Sequence, residues 1–330
     1  MSRARVRQRG FSLIELMIAS SLGIVSVAAV GNVFLGGSSN YRQDEKLSRM
    51  HDELAFAMTQ LTQDLEMAGF WSRVRDGALI ERPGSLTVGN DCGPTGWAVQ
   101  DLSSLALDDN PAAASANLLH PCLPAADVQA GADIVAIKRV RGRADASDTD
   151  ASGLVIGRTY LRTHQGLGAL YLGGGTAPAM EQPYQDYEYR PRLYFVQPYT
   201  VSPTESPRVP SLCRMVLRAG SPPFFAKECL AQGVENLQLE VGVDSDGDGV
   251  ANFFSQAPAA ADLARAVAVR VYLLVRSATP DPGYRNDKTY WVGNSPALQP
   301  SGDNSHYYRK TLASEVVLRN TRSLQGLGYQ

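Results

Sequence analysis

Residues 11–35 read FSLIELMIASSLGIVSVAAVGNVFL, apolar or small almost throughout, with a single charge at Glu15. As a helix this stretch spans about 37 Å, enough to cross about 30 Å of hydrocarbon with some tilt. Arg3, Arg5, Arg7 and Arg9 precede it, and no basic residue falls inside it. That asymmetry places the N-terminus in the cytoplasm and everything after Leu35 beyond the inner membrane. A basic start before an apolar run also describes a secretory signal, cleaved here after Ser26-Val27-Ala28 and before Ala29. Glu15 argues against it, because a carboxylate in the apolar run costs about 2.5–3.5 kcal/mol on insertion. A charge kept at that cost needs a partner. Cleavage after Gly10 supplies one, the α-amine of Phe11 on a neighbouring copy.

The segment Arg9-Gly10-Phe11-Ser12-Leu13-Ile14-Glu15-Leu16 resembles the class III signal of type IV pilins and of type II secretion pseudopilins. The resemblance implies that a prepilin peptidase cuts between Gly10 and Phe11 and methylates the Phe11 amine. It also implies that Glu15 guides the docking of one subunit on the next.

After Leu35, the run Gly36-Gly37-Ser38-Ser39-Asn40 is expected to kink or interrupt the helix. The helical period then resumes. Leu47, Met50, Leu54, Met58, Leu61, Leu65 and Ala68 recur at spacings of three and four, one apolar stripe suited to a core. Glu45, Lys46, Arg49, Asp52, Glu53 and Asp64 lie mostly off it. Gly69 is the expected stop. The organisation read from this pattern is a leader at 1–10, a transmembrane helix at 11–35, its amphipathic continuation at 36–69 and a β-rich domain at 70–330.

From Phe70 the period shortens to two. Strands are expected at 132–140, 153–162, 192–196, 214–218, 234–243, 266–275 and 314–319. The run 266–275 is apolar on both faces and belongs in mid-sheet. Residues 108–116 and 202–211 read as loops, the second extended or polyproline-like. A long helix followed by a run of strands is α+β. The resemblance makes this a pilin-like fold, the helix packed on an antiparallel sheet.

Cys92, Cys122, Cys213 and Cys229 allow three pairings. Proximity in sequence favours Cys92–Cys122 and Cys213–Cys229, in a compartment where disulfides form. A metal site is the rival reading, with His120 beside Cys122, although CxxC is absent.

Residues 244–252 read DSDGDGVAN. Carboxylates at Asp244, Asp246 and Asp248, with a glycine for the sharp turn, build an oxygen-ligand calcium loop. Val250 offers a carbonyl, and Asn252 a contact through water. Position twelve is Ser255 rather than a bidentate glutamate, and the flanks are strands, so the loop is no EF-hand. A plain Asp/Gly hairpin turn is the other reading. The strand entering this loop, the apolar strand after it and the C-terminal stretches 307–312 and 316–320 resemble the PilW-type minor pilins.

HExxH, GxSxG and P-loop signatures are lacking, and the four histidines are scattered, so no enzyme is expected. The net charge of −2 gives no pull toward nucleic acid. What the resemblance implies is a minor pilin priming filament assembly at a pilus tip. Its partners would be other minor pilins and the major pilin, the peptidase and the inner-membrane assembly platform. It would reside in the inner membrane first and the periplasm or pilus afterwards. A large type II secretion pseudopilin, or a membrane-anchored periplasmic binding protein, is the alternative.

Overall fold

Helix α1 (Leu13–Glu66) takes up both the apolar run and the stripe that follows it. A computed structural model describes Gly10, residues 12–94 and residues 96–320, with residues 32–40 described by backbone alone. The expected leader residues 1–9 and the expected mature N-terminus Phe11 lie outside the described residues. The glycine pair does not interrupt the helix, which stays continuous through residues 36–40. A helical glycine costs about 1 kcal/mol, too little to break a helix propagating from both sides.

The chain divides into two units, residues 1–49 and residues 50–330. In the first, Leu13–Gly31 is a helix with none of its residues buried, apolar and long enough to cross a membrane. Its serines do not disturb that surface. Ser20 and Ser26 donate to the carbonyls of Leu16 and Leu22, and Ser21 to that of Ile18. Their hydroxyls are satisfied within the helix, as hydrocarbon surroundings require.

In the second unit the stripe is buried as expected: Met50, Leu54, Met58, Leu61, Leu65 and Ala68, joined by Ala57. Gly69 follows the helix with φ +72°, and its N–H donates to Lys138 O at 3.0 Å. A Cβ there would lie 3.0 Å from both Asn320 O and Ser104 Cβ. Both the left-handed backbone and the close approach therefore call for glycine.

The remaining elements are β1 (Ile80–Glu81), α2 (Trp97–Gln100), β2 (Leu105–Asp108), α3 (Ala113–Leu119), β3 (Ile134–Ile137), β4 (Ala146–Ser147), β5 (Thr159–His164), β6 (Leu167–Leu172), β7 (Gln185–Glu188), β8 (Arg192–Gln197), β9 (Ser211–Arg218), β10 (Phe224–Gln232), β11 (Val234–Val243), β12 (Phe253–Ser255), α4 (Ala260–Leu263), β13 (Ala266–Arg276) and β14 (Arg309–Val317). The described strands form three sheets, ordered β1-β6-β5-β7-β4, β10-β9-β8-β3-β2 and β12-β11-β13-β14. All pairings among them are antiparallel except β1 with β6. The fold is α+β, a long helix with a domain of antiparallel sheets.

β11 has the expected bounds, and β13 sits in mid-sheet, with only Arg270, Tyr272 and Arg276 less than buried. Other expectations need correction. The strand expected at 153–162 starts only at Thr159, because Gly157 takes a positive φ and turns the chain. The glycine-rich stretch after it is β6, joined to β5 by Gln165-Gly166, both at positive φ as a tight hairpin turn demands. The loop expected over 108–116 gives way to α3 at Ala113. The segment 202–211 is no polyproline stretch but a turn gathered on one carboxylate. Glu205 accepts from the N–H groups of Thr200, Val201, Ser202 and Val209. Although burial opposes the charge, those donors hold its pKa down to about 2. The last strand runs Arg309–Val317, earlier than expected, because its exposed edge carries little alternation to read.

Candidate functional site

The helix start is built by its own side chains. Ser12 Oγ accepts from Ile14 N at 3.3 Å, and Glu15 Oε2 accepts from Ser12 N at 3.0 Å. Two orphan donors of the first turn are thereby satisfied, Glu15 reaching back to the Ser12 N–H as in a capping box while Ser12 takes the N–H of Ile14 rather than that of Glu15. The S-x-x-E spacing was present in the sequence, and its capping meaning was missed. Glu15 is thereby fixed at the positive end of the helix dipole, on an exposed surface. Gly10 is exposed too, with open space where a Cβ would stand.

Farther along α1, Asp64 corrects the expectation that it lies off the stripe. It is 1% exposed. Its Oδ1 accepts from Arg139 Nε at 3.0 Å and Nη2 at 2.5 Å. Its Oδ2 accepts from Arg192 and from the Tyr194 hydroxyl, and Arg214 Nη1 stands 4.0 Å away. Arg192 and Tyr194 belong to β8 and Arg214 to β9, so one helical carboxylate ties α1 to the five-stranded sheet of β8 and β9. Burial alone would push this carboxyl up. Arg192 and Arg139 outweigh it, and the carboxyl sits below its ordinary range.

The acidic loop connects β11 to β12. The carboxylate oxygens of Asp244, Asp246 and Asp248 lie within 4.8 Å of one another, Asp244 buried and the other two exposed. The loop also holds itself. Asp244 accepts from Gly247 N at 2.6 Å and Gly249 N at 2.9 Å, both glycines at positive φ. Burial opposes the charge on Asp244, but these N–H donors prevail and lower its pKa. Asp248 accepts from Val250 N at 2.8 Å. Asn252 braces the turn, its Oδ1 accepting from Ser245 N at 2.6 Å and its Nδ2 donating to Asp246 at 3.1 Å. The three carboxylates fit the start of an oxygen cage for a hard cation.

All four cysteines are in disulfides, Cys92–Cys122 and Cys213–Cys229. The second joins residues directly opposite each other on β9 and β10. Both ring nitrogens of His120 are engaged by protein groups. Its Nδ1 lies 2.7 Å from Cys92 O and its Nε2 2.5 Å from Asp108 Oδ2, so it braces the first disulfide against β2.

Residues 5–31 match the family model of the prokaryotic N-terminal methylation motif. Residues 193–320 match that of the type IV pilus-assembly protein W. It is a type IV pilin-like protein with a PilW domain. The chain is also 28% identical over 89 residues to the pilin-like protein PilA3 of Thermus thermophilus. That match covers 26% of this chain and 38% of the relative, so the chain spans well under half of it. No solved structure matches.

The two matched regions fall on the two features just described. The methylation motif of this pilin-like protein holds Gly10, the helix cap at Ser12 and Glu15, and the exposed apolar helix. The PilW domain begins in β8 and holds the acidic loop, the Cys213–Cys229 disulfide and β14. Asp64 lies in neither, although two of its partners, Tyr194 and Arg214, belong to the PilW domain.

Proposed function

We propose that this pilin-like protein is a minor pilin, cut between Gly10 and Phe11, methylated on Phe11, and used to prime filament assembly in a small complex of pilins. The observation that carries this reading is the hydrogen bond from Ser12 N–H to the Glu15 carboxylate. It fixes the Glu15 carboxylate at the first turn of a bare apolar helix, four positions after the expected new amine. In a low-dielectric surrounding a carboxylate and an ammonium from two subunits stabilise each other strongly when their geometry is met. The apolar helix holds the subunit in the inner membrane before assembly, and the sheet domain stands outside it. Prepilin peptidase, the assembly platform and other pilins, major and minor, are the partners this reading requires.

The test is mass spectrometry of the mature N-terminus with a pilus assembly assay. Wild type is expected to begin at methylated Phe11, and Gly10→Val to leave a longer, unprocessed chain. Glu15→Val should be cut and inserted, yet fail to enter the complex. Assembly of Glu15→Val at wild-type levels would remove the basis of the proposal.

The acidic loop is proposed as a calcium site of the same domain, with Asp244, Asp246 and Asp248 as ligands and Val250 O completing them. Asn252 supports the loop rather than the ion, since both ends of its amide are engaged within the turn. Lacking a bidentate glutamate, it is expected to bind weakly, at about 10⁻⁴–10⁻³ M.

A further inference from the structure

The free edges of a sheet present backbone N–H and C=O groups to any strand that reaches them. Folded proteins blunt such edges with short strands, bulges, lysines or covering chain. Among the described residues the three sheets have β1, β4, β10, β2, β12 and β14 as their edges. β1 and β4 are two residues long, β12 three and β2 four. β10 is bulged between Cys229 and Ala231. Gly89 backbone pairs with one end of it, and Glu53 accepts from Gln232 N at 3.0 Å at the other.

β14 is neither short nor bulged. It runs nine residues, and Arg309–Val317 pair with β13 at every position without a register shift. Its one lysine, Lys310, lies near its start, with Nζ 3.0 Å from the His51 ring. No described strand lies on its other side. Leu318 N donates to Val267 O, and Ser277 N to Tyr308 O. These bonds set the phase of the ladder, so the even-numbered residues bond inward to β13. Arg309, Thr311, Ala313, Glu315 and Val317 turn their N–H and C=O groups outward. Arg309 is buried on Glu235, while the other four are exposed.

We propose that β14 pairs with β14 of a second copy of this chain, antiparallel about a two-fold axis at Ala313. A two-fold contact uses one surface twice and must be complementary to itself. This edge is. About Ala313, every outward-bonding residue meets another: Thr311 opposite Glu315, Val317 opposite Arg309, Ala313 opposite itself. On the alternate positions Leu312 meets Ser314, and Lys310 meets Val316. No like charges stand opposite each other, which would destabilise the pair. Glu315 meets a threonine hydroxyl and keeps Arg270 Nε at 2.8 Å on its own chain. A one-residue shift would set outward-bonding residues against inward-bonding ones, and a two-residue shift would shorten the ladder.

The test uses the full chain, in membranes and after detergent extraction. Directly opposite Cα atoms in a hydrogen-bonded pair are about 5.5 Å apart, inside the disulfide span of about 4.4–6.8 Å. Ala313→Cys is therefore expected to give an oxidised dimer, and Val201→Cys, on an exposed loop residue, not to. Ala313→Pro removes an N–H that β13 does not use, a substitution edge strands tolerate. It is expected to keep the native disulfides and circular dichroism while converting a dimer to a monomer in sedimentation. Cross-linking of Ala313→Cys no stronger than that of Val201→Cys overturns the proposal, as does a dimer that survives Ala313→Pro. Capture of a different protein by the Ala313→Cys variant, with no second copy, also overturns it and assigns the edge to a heterologous strand.

Discussion

The Asp64 carboxylate and the Arg139 guanidinium meet through two hydrogen bonds, at 3.0 and 2.5 Å, both to Oδ1. The residues are 75 positions apart in sequence. Oδ2 is left for Arg192 and Tyr194, so no oxygen of this buried carboxylate is idle.

Removing one partner of a buried ion pair strands the others. Asp64→Ala is therefore expected to lower stability by about 3–5 kcal/mol, read as a fall in the denaturant midpoint of the extracted chain. A folded pKa held below the unfolded value contributes stability above about pH 3.9 and loses it as pH falls through the folded value. Wild type should thus lose stability toward pH 3 faster than Asp64→Asn. Parallel curves would mean the carboxylate is not held by its arginines.

Asp133 is expected to behave in the opposite sense. It accepts from Leu239 N at 2.7 Å and Asn110 N at 2.9 Å, joining the β3 segment to β11. Burial, with Asp109 and Asp108 nearby, raises its pKa to about 7 against those two donors. A raised folded pKa contributes stability that is complete below about pH 3.9 and lost as pH climbs through about 7. An asparagine offers one acceptor to two donors, so Asp133→Asn should be less stable than wild type at pH 5. The gap should narrow by up to about 1.4 kcal/mol per pH unit until about pH 7 and level off above it. Thermal melts of both proteins across that range check it, and a gap that widens with pH contradicts the sign.

Millimolar calcium is expected to raise the melting temperature relative to chelator, by an increment equivalent to about 2.7 kcal/mol at a hundredfold excess over Kd. Asp246→Asn should lose most of that response and little stability in chelator, since Asp246 is exposed. An unchanged melt in wild type leaves the loop as a turn held by Asp244 and Asn252.

The cross-strand disulfide gives a further expectation. Cys213 and Cys229 close a loop of separation 16, so replacing both with serine should cost about 3 kcal/mol in the chain-entropy view. Equilibrium unfolding of the double variant measures it. The β9–β10 ladder should persist, because its backbone pairing extends well beyond the two cysteines.

What was legible in the sequence follows from period and burial. The stripe from Met50 to Ala68 and the two-faced apolarity of β13 report packing that each element meets along its whole length, and both were read. β10, with the sequence FFAKECLAQ, alternates too loosely to be separated from a loop. Asp64 was misplaced because a charge beside a stripe reads as solvent-facing. It lies seven residues after Ala57 and fourteen after Met50, on the flank of the buried face. Its partners are brought in only by the tertiary fold. Lys138, 1% exposed, was hidden in the same way. Its ammonium is satisfied by Trp97 O at 2.7 Å and Asp101 O at 2.5 Å, which no local pattern announces.

Helix α1 is unbroken from Leu13 to Glu66, and Asp64 sits in its last turn. A tug on the last turns of this helix is therefore taken up at Asp64. There the grip consists of several short bonds converging on a single carboxylate. They must fail together rather than one after another, so the helix should resist slow pulling and then let go abruptly.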